Sequence, residues 1–214
     1  MSGFEAYNSA GKLMVDSSNR TTSIYDLRNT GSVTDKGTII VTSTFGNGTT
    51  LGYLNSQFWN DGSSLRWMQM NSGRYGMPGA DFFEDNAGRV MRTRRSVAIE
   101  SGYLDVFNAT GSLVWSAVTA SKAPRIIDFL DIPAGYDLTN NTFVKSVSFS
   151  PWILINSCPG NVTYDGETTG YSGLMIKWDG TNLLARYVSQ LQKTWAQTFQ
   201  STGLRIPLAV FTGY

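Results

Sequence analysis

The 214-residue chain contains no histidine and a single cysteine, Cys158. Without histidine, a Ser-His-Asp triad, a Cys-His dyad and a His-ligated zinc site are excluded by composition. One cysteine excludes a disulfide within the chain and a thiolate metal cluster. Long apolar runs are missing too, since no stretch approaches the roughly 18–20 residues of a membrane span. The first residues, Met1 to Ala6, hold no basic region followed by an apolar run, so no secretory signal is expected there. Charge is scarce and balanced: 17 Lys+Arg face 16 Asp+Glu, a net charge of +1. Residues 1–100 carry 10 basic and 9 acidic side chains, which denies a nucleic acid the long-range attraction that drives its binding. No nucleic-acid partner and no membrane span are expected.

What is present is turn chemistry. Twenty-two glycines and an excess of Ser, Thr and Asn point to many turns and solvated strands. Asn19, Asn47, Asn108, Asn140 and Asn161 each open a glycosylation pattern. With no signal they read as by-products of an Asn- and Thr-rich composition.

Internal similarity organises the chain. Phe4-Glu5-Ala6-Tyr7-Asn8-Ser9-Ala10-Gly11-Lys12-Leu13-Met14 returns 100 residues later as Leu104-Asp105-Val106-Phe107-Asn108-Ala109-Thr110-Gly111-Ser112-Leu113-Val114. Ile24 to Leu27 then aligns with Ile126 to Phe129, Thr38 through Phe45 with Thr142 through Phe149, and Ala98 to Tyr103 with Ala209 to Tyr214. The leading block alternates apolar and polar residues around Asn-x-x-Gly, the pattern of a β-hairpin with a positive-φ glycine in its loop.

Residues 37–43 and 142–149 read as β-branched or aromatic strands, and Trp152 to Ile155 as a short strand buried on both faces. Leu174 to Trp178 leads into an Asp179-Gly180 turn with Leu183 to Val188 as its return. Leu184, Val188, Leu191, Trp195 and Phe199 also fit one helical face, which allows a helix near 184–200; the Asp-Gly turn favours the hairpin for the early part and leaves 189–200 open. The expected fold is all-β: two tandem β-sandwich-like modules of short antiparallel strands, 1–100 and 101–214, with an aromatic-rich insertion at about 46–88 in the first.

That insertion carries Tyr53, Phe58, Trp59, Trp67, Tyr75, Phe82 and Phe83 among Gly, Asn and Ser, the composition of adaptable binding surfaces. Aromatics also close cores. The candidate partner or glycan contacts are Phe58, Trp59, Trp67, Arg74 and Tyr75. Asp81, Glu84 and Asp85 are the densest acidic group, and their sequence reads as a polar turn with an apolar anchor more than as a glycosidase pair. Arg89, Arg92, Arg94 and Arg95 form the basic cluster, expected on a solvated strand or paired with carboxylates of a neighbouring subunit. Gly46-Asn47-Gly48 lacks the Lys of a phosphate loop. Cys158 reads as a small buried residue. No catalytic, metal or cofactor-binding residue is expected, and no cofactor.

The opening Gly3-Phe4-Glu5-Ala6-Tyr7-Asn8-Ser9-Ala10-Gly11-Lys12-Leu13, followed by Asp16-Ser17-Ser18-Asn19-Arg20, resembles the start of small tail-associated structural proteins of tailed bacteriophages. The closing Val210-Phe211-Thr212-Gly213-Tyr214 is similar to their short aromatic-ended β segment. The second copy, Gly102 through Leu113, carries the same opening without Asp-Ser-x-x-Arg. The resemblance implies a non-enzymatic virion component, assembled in the bacterial host cytoplasm, whose partners are other tail proteins, copies of itself in a symmetric array, or a host surface glycan. A carbohydrate-binding module and a capsid decoration protein are the alternatives.

Overall fold

A computed structural model describes residues 5–7, 11, 13–16, 20–41, 49–54, 62–164 and 166–214. The fold is all-β. The described helical pieces are short 3-10 turns such as Trp195–Gln197, and none is long and apolar enough to cross a membrane.

One six-stranded antiparallel sheet runs in the order β12 (Arg125–Ile132), β18 (Leu204–Val210), β14 (Trp152–Leu154), β6 (Leu65–Met70), β9 (Gly88–Arg94), β3 (Ser23–Asn29). The second runs β13 (Phe143–Ser146), β17 (Asn182–Gln190), β16 (Thr169–Trp178), β7 (Tyr75–Met77), β8 (Phe82–Phe83), β5 (Thr49–Tyr53), β4 (Thr34–Val41), with β15 (Gly160–Tyr164) also paired to β16. Alternation along the strands sends one set of side chains between the sheets. Met68, Val90, Leu130, Ile153, Ile206 and Leu208 meet Phe83, Leu174, Ile176, Leu183 and Ala185 there.

The two halves of the chain are therefore not separate modules. Each sheet joins strands from both, through β14 on β6 and β16 on β7. The sequence repeat appears as an approximate two-fold axis. Exchanging β3 with β12, β9 with β18 and β6 with β14 maps the six-stranded order onto itself. Ile24 pairs with Thr93 and Ile126 with Ala209, and both edge strands then shift register before the following aspartate. The bulged residues, Tyr25 and Ile127, are exposed. Thr93 pairs with Leu65 and Ala209 with Trp152, so Trp67 and Leu154 are equivalent positions. Those two residues are also register partners, which puts the axis at that pair. In the other sheet β5 is an insertion of the first half and β15 of the second.

Two expectations change. The last repeat block is not Ala98 to Tyr103 on Ala209 to Tyr214: β9 is the counterpart of β18, placing Arg89 with Arg205 and Val90 with Ile206. The helical option for 184–200 is replaced up to Gln190 by β17, hydrogen-bonded by β13 on one side and β16 on the other. Leu191 then turns the chain at φ +57°. The 3-10 turn that follows is capped reciprocally by Thr194 and Gln197.

The outer face of the six-stranded sheet carries a second apolar cluster of Trp67, Met91, Trp152, Ala209 and Phe211. Phe211 stands edge-on to both tryptophans, with centroids 5.8 Å from Trp67 and 5.7 Å from Trp152. On the outer face of the other sheet, Leu51, Met77, Phe82, Tyr171 and Met175 form a third.

Candidate interaction surface

The duplicated hairpins lie outside both sheets. β1 (Glu5–Tyr7) pairs with β2 (Leu13–Asp16), and β10 (Asp105–Phe107) with β11 (Leu113–Ser116). Each register breaks at the same place, between Ala6 and Tyr7 and between Val106 and Phe107. The Asn-x-x-Gly chemistry closes the second loop as the residue types require. Asn108 Oδ1 accepts from the Thr110 and Ser112 amides at 3.1 and 2.8 Å. Gly111 sits at φ +80° and Gly11 at +72°, a region where a side chain is strained.

The hairpins pack on each other. Val106 and Val114 are buried, with Ala6 and Trp115 against them. Strand alternation then turns Tyr7 and Phe107 outward, and Leu104 joins them, all more than half exposed. Tyr103, at φ +59°, is fully exposed. Asp105 fastens the base of the second hairpin by accepting from Ser101 Oγ and, at 3.1 Å, from the Gly102 amide. These hydrogen bonds, from Ser101 first, then Gly102 and Ser116, hold its carboxyl below the usual range. The result is a small β platform with an apolar rim, able to bury aromatic area against a partner.

The residues singled out in the sequence scatter. Trp67 is 1% exposed and donates Nε1 to Thr93 Oγ1, so it is core and offers no contact. Phe58 and Trp59 lie outside the described residues. Arg74 is exposed on the turn between β6 and β7, and Tyr75 beside it is half-buried. The Tyr75 amide donates to Glu84 Oε2 at 3.0 Å, and Lys177 stands 5.9 Å from its ring. Burial first, then Glu84, pushes the Tyr75 phenol up to about 12. Phe82 and Phe83 point into different clusters.

The three acidic residues serve three unrelated partners. Asp85 accepts from the Val33 amide at 2.8 Å, and Glu84 from that of Tyr75. Asp81, at φ +57°, accepts from Arg66 Nη1 with both oxygens at 2.7 Å between the sheets. Burial outweighs the Arg66 attraction and holds the Asp81 carboxyl above its ordinary value.

The arginines of β9 are also engaged. Arg92 pairs with Asp26 at 2.8 Å, Arg94 donates to Ser64, and both stack over Tyr25. Arg89 binds Gln69 and lies 5.3 Å from the Trp152 ring. Cys158 is buried, and burial pushes its thiol up to about 12. Among the described residues, no group of three His, Cys, Asp or Glu side chains is placed to hold a metal ion.

The platform is the surface that sequence reasoning missed. Its signal was visible, because the repeated hairpin puts Tyr7 and Phe107 at equivalent outward positions. Comparison with known proteins adds a family without a function. A family model described as "Domain of unknown function (DUF8377)" matches residues 1–213. No curated protein matches the chain, and no solved structure does.

Proposed function

We infer that this chain, which belongs to the DUF8377 family, is a non-enzymatic structural component of a bacteriophage virion, at the tail or its distal tip. The observation that carries this reading is the duplicated hairpin. Its sequence resembles the start of tail-associated proteins, and its two copies build one platform whose apolar rim is Tyr7, Leu104 and Phe107. Such a rim suits attachment to another virion protein or to further copies in a symmetric array. The carbohydrate-binding alternative at residues 53–83 loses Trp67 as a stacking platform, because that ring is interior.

The test is electron microscopy of particles labelled with an antibody to this chain, paired with a Phe107→Glu variant. Label at the tail, lost in a variant that folds normally, supports the reading. Label over the capsid moves the protein to decoration. Particles without label overturn the virion assignment.

A further inference from the structure

An open cleft of about 440 Å³ lies beside the β16–β17 ladder, where the chain after β17 folds back over the start of β15. That volume falls within the range of small-molecule sites. Ser172 and Tyr187 are buried and form its floor, while Asn161 and Lys193 are exposed at the rim.

The hydrogen-bond arithmetic shows which groups remain available. Ser172 Oγ has one proton and gives it to the Lys193 carbonyl at 2.6 Å. The 2.7 Å contact between Ser172 Oγ and Tyr187 Oη must then use the tyrosine proton. The phenol therefore presents lone pairs, and no donor, to whatever occupies the cleft. Gln192 Nε2 is spent on Thr163 Oγ1 and the Gly170 carbonyl, both at 3.0 Å, and Gln192 Oε1 accepts from Asn161 Nδ2 at 3.0 Å. Gln192 is thus a fixed wall, and Asn161 is held with its carbonyl oxygen as a second acceptor. Phe199 supplies an apolar side, backed by the Trp195 ring at 5.9 Å and, behind it, Tyr187.

Charge narrows the class. No carboxylate is among the described lining residues, and Lys193 has no acidic partner among the described residues. The cleft thus combines acceptors for hydroxyl groups, an apolar wall for a ring face and one cation that pairs with no described carboxylate. We propose that it binds an acidic saccharide unit, a sugar ring carrying a carboxylate. The hydroxyls would donate to Tyr187 and Asn161, and the carboxylate would face Lys193. This goes beyond the virion reading and does not depend on it, since unlabelled particles would leave the titration below unchanged.

The test is calorimetric titration of the full chain with methyl glucuronide, methyl glucoside and acetate, with tryptophan fluorescence reporting on Trp195. Methyl glucuronide is expected to bind in the low-millimolar range, at least ~10-fold tighter than either comparison probe. Lys193→Gln should erase the preference over methyl glucoside and leave the fold intact, because that side chain is exposed. Asn161→Ala should weaken both sugars several-fold without altering acetate. Equal binding of acetate overturns the saccharide class, equal binding of methyl glucoside overturns the acidic part, and no binding at ~20 mM glucuronide overturns the site. A glucuronide affinity unchanged in Lys193→Gln also overturns it.

Discussion

The Arg66–Asp81 pair lends itself to a quantitative test of what joins the two sheets. Arg66 projects from a central strand of one sheet and Asp81 from the turn before β8 in the other; their side chains are 7% and 11% exposed. Two charges removed from water this completely lose hydration that their attraction recovers only with good geometry, here both carboxylate oxygens at 2.7 Å from one nitrogen. Removing one partner takes this close ion pair from the other. Asp81→Asn keeps the size and tolerates φ +57°, yet leaves a buried guanidinium without its counter-charge. The expected loss is about 3–5 kcal/mol, roughly 6–20 °C in Tm for a chain of this length.

Arg66→Met behaves differently, because a carboxyl can escape by taking up a proton. Its folded-state pKa, already raised by burial, rises further once Arg66 is gone. A group with a raised folded pKa contributes stability below its unfolded pKa and loses it as pH climbs through the folded value. Arg66→Met should therefore cost less at about pH 5 than at about pH 8. The double variant should lose less than the two singles together, with a coupling of at least ~1.5 kcal/mol in urea unfolding. Additivity within ~0.5 kcal/mol would refute the reasoning, as would a pH-independent cost for Arg66→Met.

Three further outcomes follow from the geometry. Phe211→Ala removes the ring standing on Trp67 and Trp152; it should cost about 3–5 kcal/mol in thermal unfolding and red-shift tryptophan emission. Gly111→Val forces a branched side chain to φ +80°; it should destabilise the second hairpin by about 1–2 kcal/mol, raising amide exchange at Val106 and Val114 while β16 keeps its protection. Asp105 has a lowered folded pKa, so its contribution is present above the unfolded value of about 3.9 and lost as pH falls through the folded one. The Gly102 amide resonance should titrate in that acid window, and Asp105→Asn should abolish the titration.

The parts of this fold legible in the sequence were those fixed by near neighbours. Asn108 and Gly111 close their loop with atoms of residues 108–112, so the pattern alone identifies the hairpin and its partner 100 residues earlier. The turn at Asp179-Gly180 was legible for the same reason: Asp179 Oδ1 accepts from the Thr181 and Asn182 amides. Ile24 to Leu27 and Ile126 to Phe129 aligned because both edge strands need the same bulge before an aspartate.

The β9–β18 equivalence was hidden, since the inward positions require only that Val90 and Ile206 be apolar, while Arg92 and Leu208 answer to different surroundings. Residues 184–190 satisfied periods of both two and 3.6, and pairing with β13 and β16, set by distant residues, decided them. The merging of the halves and the burial of Trp67 depend on contacts between residues 65–77 and 152–178, which no local pattern records. The hairpin platform was half legible: the repeat was visible, but not that Ala6 of one copy packs on Val106 and Val114 of the other.

The central pairing of Trp67 with Leu154 also sets the order of events during synthesis. β6 leaves the ribosome with β9 to follow on one side and nothing on the other. Its second neighbour is translated 87 residues after Trp67, a delay of roughly 4–17 s at ordinary rates of synthesis. β7 waits longer still for Ile176. Throughout that interval the nascent first half carries two open strand edges, each shaped to receive a strand much like its own counterpart. On a polysome, where neighbouring chains emerge side by side, the duplication that completes the finished molecule is also its most exposed route to mispairing.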